Sequence, residues 1–152
     1  MTPLAALRRG LEILDPIMRA NGFAFSQEVS GRGSGGNYAR GSYIKGDRRL
    51  ELHYRFSLGL VTYHIGGDAL RHEVFMRAIL GADKRSRYPG FSDDAMAAFQ
   101  DLRFDLETYA GDFLCGTGDL FRRCVRDARA ARELSAFERS EQGWPNSIQE
   151  MP

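Results

Sequence analysis

The stretch RRLELHYRFSLGLVTYHI, residues 48–65, decides the fold. Leu50, Leu52, Tyr54 and Phe56 alternate with Arg49, Glu51, His53 and Arg55. A period of two puts apolar side chains on one strand face and polar ones on the other. LVTYHI (60–65), rich in β-branched and aromatic residues, reads as the partner strand, with SLGL as the connection. Pairing Phe56 with Val61 also sets Tyr54 against Tyr63 and Leu52 against Ile65, which gives one apolar face. A one-residue slip would put Thr62 and His64 among the core residues. This register expects His53 directly opposite His64 on the other face.

Working outward, Gly46-Asp47 suits a type II′ hairpin turn, since the glycine comes first. That turn pairs Lys45 with Arg48, Tyr43 with Leu50 and Ala39 with Tyr54. The polar face gains Arg40 beside His53, Tyr38 beside Arg55 and Ser42 beside Glu51. With FAFSQEV (23–29) as a further strand, the central region is expected to form a four-stranded antiparallel meander.

Helical periods flank it. Thr2 and Pro3 signal a helix start, and Leu4, Leu7, Leu11, Leu14 and Met18 form one apolar stripe. Pro16 is expected to kink that helix, and Asn21-Gly22 to end it. After the meander, Asp68 is read as the cap of ALRHEVFMRAIL, ended by Gly81. Ser92 is read as the cap of a helix buried through Phe99, Leu102, Leu106 and Tyr109. The last helix, 119 to 137, uses Phe121, Cys124, Val125, Ala128, Ala131 and Leu134. The fold class is therefore α+β: an N-terminal helix, the meander, and three C-terminal helices packed on the face of Leu50, Leu52, Tyr54, Phe56, Val61, Tyr63 and Ile65. Residues 1–138 make a single domain, and 139–152 a polar, flexible tail with Trp144 as its anchor.

Composition narrows the classes of function. The 152 residues are 43% hydrophobic and 27% charged, with a net charge of +1, which exerts no global pull on nucleic acid or anionic lipid. No apolar run reaches the ~18 residues of a membrane span. Arginines follow the first leucines and acids come soon after, an order unlike a signal peptide, so a cytoplasmic location is expected. Cys115 and Cys124 lack C-x-x-C spacing and read as reduced thiols. Arginines crowd the last helix, but acids crowd the helix before it; as neighbours the two would neutralise each other, which argues against nucleic acid as a partner.

SGRGSGG (30–36) matches G-x-G-x-x-G through Gly31, Gly33 and Gly36. A dinucleotide cradle needs those glycines between a strand and a helix N-terminus. Here another strand follows and no Walker lysine is present, so the segment reads as a strand connection without a cofactor. No H-E-x-x-H spacing exists, and His72 near a helix start reads as an exposed residue, so no metal is expected.

Two surfaces carry chemistry. The register expects a row of Arg40, His53 and His64 across three strands, flanked by Glu51, Arg55 and Tyr38. As an anion or phosphodiester site, the imidazoles could exchange a proton, Glu51 act as base, and the arginines stabilise negative charge. One helix before a sheet bearing Glu, Arg and His resembles the microbial ribonucleases, although those are secreted and smaller and lack the C-terminal helices. The competing reading is a solvated outer face. The second surface is the loop DKRSRYPGFSDD, where Lys84, Arg85 and Arg87 precede Tyr88 and Phe91. Tyr and Arg are over-represented at protein–protein hot spots; the equal alternative is a surface loop with Phe91 folded into the core.

The helix–meander–helices plan, over residues 1 to about 138, resembles the small cytoplasmic immunity proteins encoded beside bacterial toxins. It is also similar to uncharacterised bacterial proteins of this size with strings like RRLELHYRFSLGLVTYH and YPGFSDD. Neither string is a functional signature, so the resemblance supplies no catalytic residues. It implies a non-enzymatic binder that blocks a partner's active surface. The leading expectation is thus a protein-binding module using the loop (Lys84, Arg85, Arg87, Tyr88, Phe91) or the polar sheet face. The alternative is a small hydrolase or anion-binding protein centred on Arg40, Glu51, His53, Arg55 and His64.

Overall fold

A computed structural model describes the backbone of residues 1–149 and the side chains of residues 1–138. The expected tail and its Trp144 anchor fall outside the described side chains. The chain is α+β, as the alternating and helical periods require. Helix α1 (Pro3–Ala20) precedes strands β1 (Ala24–Gly33), β2 (Gly36–Lys45), β3 (Arg48–Tyr54), β4 (Leu58–Ile65) and β5 (Asp68–Arg71). Then come α2 (His72–Leu80), α3 (Ala95–Tyr109), the single turn α4 (Gly111–Leu114) and α5 (Asp119–Gln149). The sheet has five strands in sequential order, one more than expected, and every neighbouring pair is antiparallel.

Helix α1 starts where Thr2 Oγ1 accepts from Ala5 N (3.1 Å) and ends at Asn21, whose side-chain amide donates to Ile17 O (2.8 Å). It continues through Pro16 and buries Leu7, Leu11, Leu14 and Met18 against the sheet.

The β2–β3 register matches the hairpin reading, from Lys45↔Arg48 to Ala39↔Tyr54, with Gly46 at a φ of +59° in the turn. The β3–β4 register does not. Val61 pairs with Leu52, Tyr63 with Leu50 and Ile65 with Arg48, and a bulge between Leu52 and Tyr54 puts Tyr54 opposite Leu58. The slip of four residues preserves the side each residue faces, so Leu50, Leu52, Tyr54, Val61, Tyr63 and Ile65 are buried as expected. Phe56 is the exception. The chain reverses at Arg55–Ser57, where Arg55 N donates to Ser57 O (3.2 Å), leaving Phe56 84% exposed while Leu58 fills the core.

The fifth strand replaces the expected first turn of the following helix. Gly66, at a φ of +58°, lets the chain reverse, and Tyr63 pairs with Leu70. Leu70 is thereby buried, and α2 begins only at His72. Helix α3 is capped by Asp94, not Ser92: Asp94 Oδ1 accepts from Met96 N (2.9 Å). Helix α5 packs against α2, α4 and β5 rather than along α3. Among the described residues its ion pairs are Arg122 with Asp119 (3.5 Å) and Arg129 with Asp68 of β5 (3.1 Å), and none joins it to the acids of α3 as expected.

One apolar layer fills the space between sheet and helices, with Tyr43, Tyr63, Phe75, Phe99, Phe113 and Phe121 fully buried. At its far end Arg48 donates to Phe113 O (2.7 Å) and Gly116 O (2.6 Å), and Lys45 donates to Leu114 O. Two β-hairpin cations thus satisfy the carbonyls that a helix C-terminus leaves open.

The α1–α3 contact depends on Gly10, where a Cβ would lie 2.3 Å from the Phe99 ring. Gly10→Ala gains about 1 kcal/mol of helix propensity but forces a repacking that costs about 1–3 kcal/mol. Because three atoms of the fully buried Phe99 ring would have to shift, net destabilisation is the expected result of denaturant unfolding. A more stable Gly10→Ala protein would contradict this packing.

Candidate functional site

Gly31, Gly33 and Gly36 close the β1–β2 hairpin, and a strand follows them, as read from the sequence. Their neighbours explain the glycines. A Cβ on Gly35 would lie 1.5 Å from Arg55 Nη1, and one on Gly31 would lie 3.1 Å from the Tyr38 hydroxyl. The missing side chain at Gly35 leaves room for the guanidinium of Arg55, from the turn after β3, and that at Gly31 for the phenol of Tyr38 on β2. Among the described residues, Arg55 Nε is a buried polar atom without a hydrogen-bond partner.

On the polar face, Arg40 lies opposite His53 and Ser42 opposite Glu51, as expected. His64 lies opposite Arg49, not His53. The slip thus separates the two imidazoles into different cross-strand rows, and the row Arg40–His53–His64 does not form. His53 instead stacks on Tyr38, with ring centroids 5.5 Å apart and planes at 11°. Its burial, then the charges of Arg55 and Arg40, hold its pKa below the ordinary 6.5, while Glu51 acts in the opposite sense. His64 Nε2 lies between Glu51 Oε1 (3.1 Å) and Arg49 Nη2 (3.2 Å), and Arg49 Nη1 reaches Gln27 Oε1 (3.3 Å). Arg40, Arg49, Gln27 and Glu51 line a hollow of about 200 Å³. It has the donors for a small anion, opposed by one carboxylate.

His72 is not exposed as expected. It is fully buried, as is Asp105. His72 Nδ1 lies 2.8 Å from the Tyr63 hydroxyl, and Nε2 lies 2.9 Å from Asp105 Oδ2. The Asp105 carboxylate also accepts from Arg87 N and Tyr88 N, both at 2.8 Å. With the carboxylate accepting, the shared proton lies on His72 Nε2, and the Tyr63 hydroxyl partners Nδ1. Tyr63 cannot ionise readily: burial, with Asp105 and Glu73 nearby, raises its pKa well above 10.0. The order Tyr63–His72–Asp105 superficially matches a hydrolase relay, but all three groups are sealed in the core. Its work is to satisfy itself and to hold a loop.

That loop is the candidate interface. Tyr88, expected at the contact surface, is only 2% exposed. Its hydroxyl donates to Leu58 O (2.9 Å) and Gly59 O, and its burial raises its pKa. Ser86 Oγ donates to Tyr88 O (2.8 Å), and the Arg87 guanidinium lies 3.5 Å above the Phe104 ring. So fixed, the loop leaves Lys84, Arg85 and Phe91 outward, with Phe91 fully exposed. Met76, Leu80, Lys84, Arg85 and Phe91 line a hollow of about 500 Å³. Phe56 and Pro89 line another, of about 230 Å³, beside it: Pro89 borders both. Two exposed aromatics therefore flank one proline.

The sequence carries a signal for Asp105. An acid three residues after Leu102 and one before Leu106 lies on an apolar helical stripe, where it needs partners. Among the described residues no group of three His, Cys, Asp or Glu side chains is arranged to hold a metal, and no helix is long and apolar enough to cross a membrane. Comparison with known proteins finds no family model, no curated protein and no solved structure that matches this chain.

Two outcomes check this geometry. Asp105→Ala strands His72 and two backbone N–H groups, and is expected to cost about 3–5 kcal/mol in chemical denaturation, whereas Tyr63→Phe costs about 1 kcal/mol. Equal, small effects would contradict the network. His53 is expected to titrate by NMR below 6.5. Because the folded state then binds the proton less readily than the unfolded chain, its contribution to stability is present above 6.5 and is lost as pH falls through the folded value. Arg55→Gln should raise that midpoint, and a wild-type midpoint above 6.5 would refute the assignment.

Proposed function

We propose that this protein is a non-enzymatic, cytoplasmic protein-binding module, similar in role to an immunity protein, which covers a functional surface of its partner. The observation that carries the reading is a fully exposed Phe91 on a loop tied internally at Arg87, Tyr88 and Ser86. An aromatic side chain left in water forfeits roughly 1.5–3 kcal/mol of burial energy that a partner can supply. A loop already fixed loses little further freedom on association, which favours affinity. Phe56, Pro89 and Phe91 provide the apolar centre, and Lys84 and Arg85 the polar rim, of a contact of the usual kind.

The alternative, an anion-binding protein or small hydrolase on the sheet face, is favoured by the hollow that Arg40, Arg49 and Gln27 share. As a hydrolase it lacks the facing His53 and His64 on which its proton transfer was built. As an anion site it contends with Glu51 in the same hollow. The loop is the better-supported surface.

Affinity capture from the native host should retain one stoichiometric protein with the wild type. Retention should fall more than about tenfold with Phe56→Ala and Phe91→Ala combined, consistent with hot-spot losses above ~1.4 kcal/mol. Undiminished retention by that double variant, or no retained protein at all, would overturn the reading.

A further inference from the structure

The hollow on the open sheet face owes its shape to one irregularity. Pairing between β1 and β2 shifts between Ser26 and Val29, and inside that bulge Gln27 takes a φ of +57°. Residues with a β-carbon seldom adopt such a backbone, and a bulge re-aims the side chains it carries. Here it brings Gln27 to the same hollow as Arg40, Ser42, Arg49 and Glu51. Gln27 Oε1 accepts from Arg49 Nη1 (3.3 Å), which leaves the amide N–H groups of Gln27 free to donate.

Four donor groups thus line a space of about 200 Å³: the Gln27 amide, the Ser42 hydroxyl and the guanidinium groups of Arg40 and Arg49. Ser42 is the most informative of them. It is only 2% exposed, yet its hydroxyl makes no hydrogen bond to any described residue, and the surface it keeps opens on the hollow. Buried hydroxyls ordinarily have a partner. Arg40, exposed and opposite His53, likewise has no ion pair among the described residues. Arg49 uses one donor on Gln27 and one on His64, out of the five a guanidinium carries.

Against these donors stands one acceptor. Glu51 Oε1 lies 3.1 Å from His64 Nε2, and among the described residues its other oxygen has no partner. A carboxylate repels an anion that is fully ionised, but it accepts a hydrogen bond from an anion that keeps a proton. We propose that this hollow binds hydrogen phosphate, whose unprotonated oxygens accept from Arg40, Arg49, Gln27 and Ser42 while its hydroxyl donates to Glu51. The proposal rests on the anion-site reading of the sheet face and not on the loop. Bicarbonate also keeps a hydroxyl at neutral pH, but it has fewer remaining oxygens to offer the four donor groups. Sulfate has the oxygens and no proton, so its binding would press two bare acceptors together. Glu51 is then the element that rejects the wrong anion, which is how binding sites commonly discriminate.

Isothermal titration of the full chain at pH 8 and constant ionic strength tests the proposal. Inorganic phosphate and sulfate are then both tetrahedral dianions, and the hydroxyl is what separates them. Inorganic phosphate should bind with a dissociation constant of about 1 mM or tighter, and sulfate at least about tenfold more weakly. Methyl phosphate, a monoester with a second pKa of about 6, has lost its proton at pH 8 and should follow sulfate. Glu51→Gln supplies an amide donor in place of the carboxylate, so sulfate should gain at least about tenfold and the preference for phosphate should vanish. Arg40→Gln should weaken phosphate at least about tenfold with unchanged circular dichroism, because Arg40 is exposed. Equal binding of phosphate and sulfate by the wild type, or a preference that persists in Glu51→Gln, overturns the proposal and leaves the anion-site reading standing. Binding of neither anion overturns both.

Discussion

The fold is organised around the carboxylate of Asp105. An ionised carboxylate taken out of water costs several kcal/mol unless donors surround it. Here the donors are the His72 ring and the main-chain N–H groups of Arg87 and Tyr88. Each comes from a different part of the chain: the carboxylate from α3, the imidazole from the start of α2, the amides from the loop between them. His72 passes the connection to the sheet through Tyr63, and Tyr88 passes it to the start of β4 through Leu58 and Gly59. Four segments, α2, α3, the loop between them and β4, therefore share one polar cluster in an otherwise apolar interior. Hydrophobic burial holds the layers together, but it is indifferent to small sliding motions. Directed bonds to a single buried acid are not, and they fix where the loop stands.

That arrangement makes sense of an apparent contradiction in the loop. A segment with lysine, arginines, glycine and proline reads as loose surface chain, and its tip does expose Phe91 completely. Its base is nevertheless tied down, with Tyr88 buried. Tyr88 acts as a peg and Arg87 lies flat on Phe104, so the charged and aromatic residues that looked like one uniform contact surface divide into anchors and presented groups. The polar sheet face has the reverse character. Several of its side chains are partnered with one another: His64 with Glu51 and Arg49, His53 with Tyr38.

How much of this was legible in the sequence follows from which features are local. The β2–β3 register was readable because a two-residue turn at Gly46-Asp47 fixes it outright. The β3–β4 register was not. Alternation of apolar and polar residues cannot distinguish slips by an even number of residues, and a bulge near His53 altered the count. The core face survived that error, since parity was right; the facing histidines did not survive it, since they depended on the absolute offset. Strand β5 was hidden because Asp68 to Arg71 is short and its residues suit a helix start as well as a strand. Asp105 and His72 were visible only as anomalies. Each interrupts an apolar stripe, but that they answer one another across 33 positions is a property of the folded chain.

The seating of Arg55 against Gly35 accounts for the bare backbone at that tip. A guanidinium nitrogen lies 1.5 Å from where a methyl group on Gly35 would stand, so any added side chain there has to push the cation off its seat, which a long flexible stem permits. The glycine-rich tip, so easily mistaken for a nucleotide cradle, is a bed for a neighbouring arginine.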